Sequence, residues 1–369
     1  MKNSDFLFFL VKAAMKEEKV KGHEMLHRQF SLMLKLAAEQ TVRGLFLKTI
    51  LTPQNNVTLS RPDFISAVSI YNNVTEGNRH VRQRLAELCC LLQDNDVCFF
   101  VVKGPTIAAI YFDPDTRDVG DIDFFVREKD FEKAVRIIKD EWNITFDDAE
   151  RDALHLAFTY KDVHFEMHHR LMKFASARNQ KAFDAIIAGC STSYRKIGQH
   201  DVPVLPPAEE VVYTFIHLYH HFIELGIGMR HLCDLTVLLE HLPADADVHE
   251  KIERYIFSLG MTKAFKAFEA LCVRKLGLKA EGLPVAINDD DSKWTESIVK
   301  VMFKRGNFGM YARNTVIRSG IKYYVEELFL KSSQAVRFYR LSPREAKAII
   351  LKEIPSKIIP GLKQILQRR

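Results

Sequence analysis

The chain has 369 residues, 47% of them hydrophobic and 27% charged, with a formal net charge of +6. That length is enough for two or three domains, and the composition is that of an ordinary folded, soluble chain. No apolar run is long enough to span a membrane, which excludes an integral membrane helix protein.

Residues 6–11 are apolar, but Lys12 and the charged cluster at 16–19 interrupt them and no small-residue cleavage site follows; the stretch reads as a helix and not a signal peptide. Residues 1–95 read as helical. Leu26, Phe30, Met33 and Ala37 share one face, as do Val81, Leu85, Leu88 and Leu92, at spacings of three and four. Pro53 and the Ser60-Arg61-Pro62 run punctuate this segment, whose role is packing. The six cysteines, Cys89, Cys90, Cys98, Cys190, Cys233 and Cys272, show no Cys-x-x-Cys spacing and read as reduced core residues of a cytoplasmic protein.

Residues 97–102 are β-branched and aromatic and too few for a buried helix, which predicts a buried strand. Lys103-Gly104-Pro105 ends it, and 106–112 reads as a short helix with Pro105 in its first turn. After a turn at 113–115, a second strand over 118–126 carries Asp121 and Asp123. Alternation projects both carboxylates from one face while Ile122 and Phe124 project from the other. Paired carboxylates in an apolar strand repel and are costly to desolvate. A divalent cation removes both costs, and hard oxygen donors suit Mg²⁺ or Mn²⁺. The alternative is a solvated pair on an exposed strand face.

Residues 128–142 read as a helix with Phe131, Val135 and Ile138 inward. Residues 153–160 and 163–171 read as hairpin partners around Lys161-Asp162. On the second strand His164, Glu166, His168 and Arg170 share a face, and Glu166 is its only carboxylate. The expected fold is α+β, a mixed sheet flanked by helices.

Gly104, a helix, and then Asp121-Ile122-Asp123 on a strand resemble the signature of the DNA polymerase beta-like nucleotidyltransferase superfamily. Lys103-Gly104, Arg117 and Gly120-Asp121-Ile122-Asp123 resemble more closely a bacterial family of uncharacterised nucleotidyltransferases, and the related abortive-infection toxin type. The resemblance covers directly about a fifth of the chain. It implies a nucleotidyltransferase-type sheet with helical N- and C-terminal regions: 1–95 helical, 96–205 catalytic, 206–285 a helical domain lining the cleft, and 286–369 helical and basic.

The same resemblance implies a metal-dependent enzyme that moves NMP from an NTP to an acceptor hydroxyl or similar group, releasing pyrophosphate. Asp121, Asp123 and Glu166 are then the catalytic and metal-binding acids, holding Mg²⁺ or Mn²⁺, with Glu166 also helping to deprotonate the acceptor. Lys103, Gly104, Thr106 and Arg117 are the candidates for the triphosphate. An Arg fork and a Lys point charge suit phosphate oxygens, and Gly104 lets backbone and helix N-terminus approach them. Where the superfamily has a small residue after the glycine, this chain has Pro105, which offers no N–H; Thr106 supplies a hydroxyl instead. The second reading is a catalytically inactive relative, a nucleotide sensor or partner-binding scaffold, with Pro105 marking a degraded phosphate loop.

Residues 173–200 read as helical and then turn-like, and Asp201-Val202-Pro203-Val204-Leu205-Pro206-Pro207 as the best domain boundary. Residues 208–242 read as helix broken at Gly226-Ile227-Gly228. His217 and His221 stand four apart, and Arg230 and Asp234 are spaced for an intrahelical ion pair. This run resembles the helical half of the same family, where Arg230 or His221 contacts nucleotide or acceptor. Residues 248–276 read as amphipathic helix, 306–309 as a turn, and 315–369 as helix broken by Pro343, Pro355 and Pro360. Residues 331–369 carry ten Lys or Arg against Glu345 and Glu353. That is either a solvated helical face or a surface for nucleic acid or an acidic partner.

Overall fold

Caps and apolar stripes are the strongest local signals in the chain, and the computed structural model, which describes residues 2–118, 120–146, 154–309 and 321–356, is built on them. The chain forms two compact units. One is Met1–Lys173 with Cys190–Glu210 and Val237–Leu242; the other is Phe174–Gly189 with Val211–Thr236 and Pro243–Arg369.

In the first unit α1 (Asn3–Lys16), α2 (His27–Glu39) and α3 (Arg43–Leu51) precede the long α4 (Arg61–Asp94). Two-residue strands β1 (His23–Glu24) and β2 (Val57–Thr58) pair in parallel between them. α4 starts where Ser60 accepts from the Asp63 N–H and donates to the Asp63 carboxylate at 2.7 Å, with Pro62 in the first turn. That side chain satisfies a backbone donor the helix leaves free, and proline loses nothing there. Val81, Leu85, Leu88 and Leu92 of α4 are buried as their spacing predicts.

That stripe packs on a four-stranded sheet made of β3 (Phe99–Val102), β4 (Asp121–Val126), β5 (His155–Tyr160) and β6 (Val163–His168). Their spatial order is β3-β4-β6-β5; β4 and β6 run parallel, and the outer pairs are antiparallel. The short α5 (Gly104–Ala108) follows β3, and α6 (Glu128–Trp142) crosses from β4 towards the hairpin. Val101, Ile122, Phe124, Phe158, Phe165 and Met167 form one face of the sheet and join the α4 stripe and Phe131, Ala134 and Ile138 of α6 in a single core. Each such side chain contributes roughly 1.5–3 kcal/mol on burial. Trp142 closes the edge, stacked on Tyr160 with centroids 4.0 Å apart. The other face of the sheet carries Asp121, Asp123, His155, His164, Glu166 and His168.

Several expectations need correction. Leu26 is exposed at the start of α2 and does not join its buried face, the helix read at 106–112 is Gly104–Ala108, and Cys90 is exposed. The end of the turn-like stretch and the start of the expected boundary are instead strands: β7 (Ser193–Ile197) and β8 (His200–Val204) form an antiparallel hairpin. Gly198, at φ 61°, makes the reversal a side chain would oppose. Ile197, Val202 and Val204 join the sheet core. Pro203 is tolerated because a two-stranded ribbon leaves an unpaired edge for a residue that cannot donate.

The second unit is helical. It contains α7 (Ala177–Ala188), most of α8 (Pro207–Glu224) and α9 (Met229–Glu240), then α10 (Ala246–Ser258), α11 (Thr262–Leu276), α12 (Thr295–Arg305), α13 (Ile321–Arg337) and α14 (Pro343–Ala348). Two residues of the basic C-terminal stretch, Lys331 and Arg344, are built into it, while Arg337, Arg340, Lys347 and Lys352 stay exposed. Lys331 is buried between Glu224 and Glu353, 2.6 Å from the latter. Arg344 donates to Asn179 Oδ1 at 3.0 Å and to the Ser258 carbonyl at 2.6 Å. The Glu345 carboxylate accepts from the Ala175 and Ser176 N–H groups and from Asn179 Nδ2, capping α7. The 306–309 turn has a packing reason: a Cβ on Gly309 would stand 2.4 Å from the Leu225 carbonyl oxygen, so the two backbones meet only through glycine.

The helical reading of 310–320 and 357–369, including Pro360, lies outside the described residues, as do Val119 and Ala153 at the expected strand starts. Among the described residues no helix is long and apolar enough to cross a membrane.

Candidate functional site

β3 ends in a turn that carries strain. Lys103 lies at φ 55°, ψ −148°, a region that costs a residue with a side chain about 1–3 kcal/mol. A relay of contacts through Thr106 holds it there. Thr106 is fully buried and donates its hydroxyl hydrogen to the Lys103 carbonyl at 2.6 Å. The Thr106 carbonyl accepts from Arg195 at 3.0 Å, and Arg195 is itself fixed by a bidentate pair with Glu210, both contacts 2.8 Å. The result aims the Lys103 ammonium at Asp123, with Nζ 3.2 Å from Oδ2. Gly104 and Pro105 follow as the buried first turn of α5.

The approach to β4 is pinned from two helices. Asn78 of α4 donates to the carbonyls of Asp115 and Arg117, at 2.6 and 2.8 Å. The Asp115 carboxylate pairs with Arg79 at 3.0 Å and with Arg82. The Asp118 carboxylate accepts the Arg43 and Gly44 N–H groups at 3.1 and 3.3 Å, where the α3 N-terminus favours an anion. Arg117 therefore enters a buried position on a fixed backbone. β4 then presents Asp121, half-buried, and Asp123, 4% exposed.

Two registers assemble the rest. The parallel pairing of β4 with β6 sets Asp123 beside Glu166 and Asp121 beside His164. The β5–β6 hairpin sets His155 opposite His168 and Ala157 opposite Glu166. His168 Nε2 stands 2.9 Å from Asp123 Oδ1 and 3.4 Å from Glu166 Oε2. His155 Nε2 and His164 Nε2 each lie 4.0 Å from Glu166 Oε1. One donor atom from each of His155, Glu166 and His168 falls within 4.8 Å of the others; among the described residues this is the cluster of ligand type that closes so tightly. Asp121 projects from the same sheet face, outside that cluster.

The electrostatics follow from the contacts. Burial pushes the Asp123 carboxyl up, but the Lys103 ammonium, and then the hydrogen bond and charge of His168, outweigh it and hold the carboxyl well below its usual range. Burial pulls the His168 imidazole down, while hydrogen bonds to Asp123 and Glu166 and the Asp123 charge push it up, with a net upward shift. Asp123 is thus an ionised carboxylate in a buried place, held by the Lys103 ammonium and by its contact with His168.

The sequence reading passed over His155. Its signal was the two-residue Lys161-Asp162 turn, both residues at positive φ, which fixes the register that pairs Tyr160 with Val163 and, outward, His155 with His168. His169, by contrast, packs edge-on against Phe131, 5.5 Å between centroids. In the second unit His217 and His221 bring their Nε2 atoms to 3.0 Å, while Arg230 and Asp234 lie on α9.

No curated protein matches the sequence. The chain is similar to a crystal structure of an antigenic nucleotidyltransferase-like protein from Paracoccidioides brasiliensis, at 10% identity over 57% of this chain and 95% of that one, with a TM-score of 0.34. A sequence model described as uncharacterised nucleotidyltransferase matches residues 27–277, from the start of α2 past the end of α11 and across the whole four-stranded sheet. The chain belongs to the uncharacterised nucleotidyltransferase family.

Proposed function

We propose that the protein is a metal-dependent nucleotidyltransferase, moving NMP from an NTP to an acceptor hydroxyl or similar group with release of pyrophosphate. Family membership supports nucleotidyl transfer as the general activity. The observation that carries the reading is the parallel register that seats Asp123 against Glu166 on the polar sheet face, with Lys103 3.2 Å from Asp123. Asp121, Asp123 and Glu166 are hard oxygen donors on one face, and they fit a divalent cation. Bound there, Mg²⁺ or Mn²⁺ stabilises charge on the attacking and leaving oxygens.

The chain's own residues do the remainder. Lys103, held in its strained turn by Thr106, and Arg117, fixed through Asn78, bind the triphosphate by point charge and by fork. Gly104 lets the backbone come close to it. The acceptor oxygen attacks the α-phosphorus in line, the bond from that phosphorus to the bridging oxygen breaks, and pyrophosphate leaves with the electron pair. Glu166, half-buried and flanked by imidazoles, takes the acceptor's proton. His168 keeps both carboxylates aimed at one point.

Pro105 favours a second reading, a nucleotide sensor, because the first turn of α5 has one fewer N–H for a phosphate. Incubating the purified chain with each α-labelled NTP, a divalent cation and a cell extract as acceptor source separates the two. The proposal expects label transfer and pyrophosphate release that fall about a hundredfold or more in Asp123→Asn at unchanged folded content. Full activity in that variant sinks the assignment; NTP binding without any transfer selects the sensor.

A further inference from the structure

A cation held only by strand carboxylates needs no imidazole, yet this sheet face places three histidines around one glutamate. His155 and His168 stand opposite each other on β5 and β6, with ring centroids 5.1 Å apart. Glu166 stands two residues before His168 on β6, and the residue paired with it is Ala157, which covers it with no more than a methyl group. Asp123 Oδ1 comes to 2.9 Å and Glu166 Oε2 to 3.4 Å of His168 Nε2, and His155 Nε2 to 4.0 Å of Glu166 Oε1. Ligand atoms sharing one ion at about 2.0–2.2 Å stand roughly 3–4.3 Å apart, and one such atom from each of His155, Glu166 and His168 already lies within 4.8 Å of the other two, so small side-chain adjustments close a shell. Glu166 and His155 are half-buried, which leaves the shell a path to solvent.

We propose that His155, Glu166 and His168 form a mixed nitrogen–oxygen site for a first-row transition divalent cation, taken in preference to Mg²⁺, with Asp123 held against His168 beside it. The inference rests on the reading that Asp123 and Glu166 face a cation, and it names which class of cation. Mg²⁺ demands near-octahedral oxygen ligands and dehydrates reluctantly, whereas imidazole nitrogen favours transition ions and carboxylate oxygen is accepted by Mn²⁺ as well. Two imidazoles therefore tilt the site away from Mg²⁺ without excluding oxygen donors. His164 Nε2 lies as far from Glu166 Oε1 as His155 does, but it is the more exposed residue and falls outside the group whose ligand atoms all lie within 4.8 Å of one another.

The test is Mn²⁺ binding to the full-length, metal-free protein in the absence of nucleotide, read by electron paramagnetic resonance. Loss of the free-ion signal gives the affinity, and pulsed measurement gives coupling to nitrogen-14. The expected result is one bound ion coupled to two imidazole nitrogens and retained against a roughly hundredfold excess of Mg²⁺. His155→Asn and His168→Asn each remove one coupling and weaken binding by about tenfold or more, and His164→Ala removes none. Labelling histidine with nitrogen-15 assigns the coupling in the wild-type chain, independent of how well any variant folds. Mn²⁺ bound without nitrogen coupling and displaced by equimolar Mg²⁺ overturns the inference and leaves the nucleotidyltransferase reading standing. No bound Mn²⁺ at all overturns the inference alone, because the cation of the nucleotidyltransferase reading is held in part by the nucleotide's phosphates, which this experiment omits.

Discussion

Asp123 is a carboxylate that only its neighbours keep charged. With side-chain exposure of 6%, facing a Lys103 that is 14% exposed, it sits in a pair shielded from bulk water. Removing Lys103 leaves the charge with His168 alone. Lys103→Met is expected to lower unfolding free energy by about 1–3 kcal/mol, and Asp123→Asn to relieve most of that loss in the double variant. Urea denaturation of the four members of the cycle reads it; additive effects would show that the contact carries nothing. Glu269 of α11 is the opposite case. It is fully buried and neither carboxylate oxygen has a hydrogen-bond partner. Burial drives its carboxyl well above the ordinary value near 4.5, with Asp291 adding to the rise and Lys266 opposing it. The folded state therefore holds a proton the unfolded state gives up, and stability is full in acid and declines as pH rises above the unfolded value. Glu269→Gln removes that decline, so the melting temperature of the variant should pull ahead of wild type as pH rises past the ordinary value near 4.5. Parallel pH profiles for the two proteins would rule the account out.

Whole elements were legible to the degree that their cause is local. α6 occupies the residues its apolar spacing and charged first turn predict, and α4 starts at the Ser60 cap. The Asp121/Asp123 face needed only strand alternation. β7 and β8 were illegible because Pro203 reads as a breaker in sequence and as an edge residue in a ribbon. The pairing of Asp123 with Glu166 was also beyond local reasoning: the strands are parallel, α6 lies between them, and nothing in either segment states the register. The hairpin is the intermediate case, since its turn fixes a register once it is recognised. That turn holds Lys161 and Asp162 at φ 45° and 64°, where glycine and asparagine rest without strain. Asp162→Gly is expected to raise stability by about 0.5–1 kcal/mol and to leave metal binding unchanged. A lower denaturation midpoint would mean the Asp162 side chain contributes something the backbone geometry does not reveal.

At the scale of the molecule, the sheet unit carries every side chain of the candidate site, and the helical unit takes Lys331 and Arg344 of the basic stretch into packed contacts while Arg337, Arg340, Lys347 and Lys352 stay exposed. Lys331, Arg344 and Glu345 are spent on interior contacts, which the charge count could not distinguish from solvated ones. Family membership spans both units, and the central claim is that the carboxylate face binds a nucleotide through a divalent cation. Calorimetric titration of the wild-type chain with each NTP, in Mn²⁺ or Mg²⁺ and again with chelator, tests it beside the Asp121→Asn/Asp123→Asn double variant. The account predicts saturable binding with metal, lost with chelator and lost in the variant. Binding that survives both the chelator and the loss of the two aspartates would place the nucleotide elsewhere and contradict it.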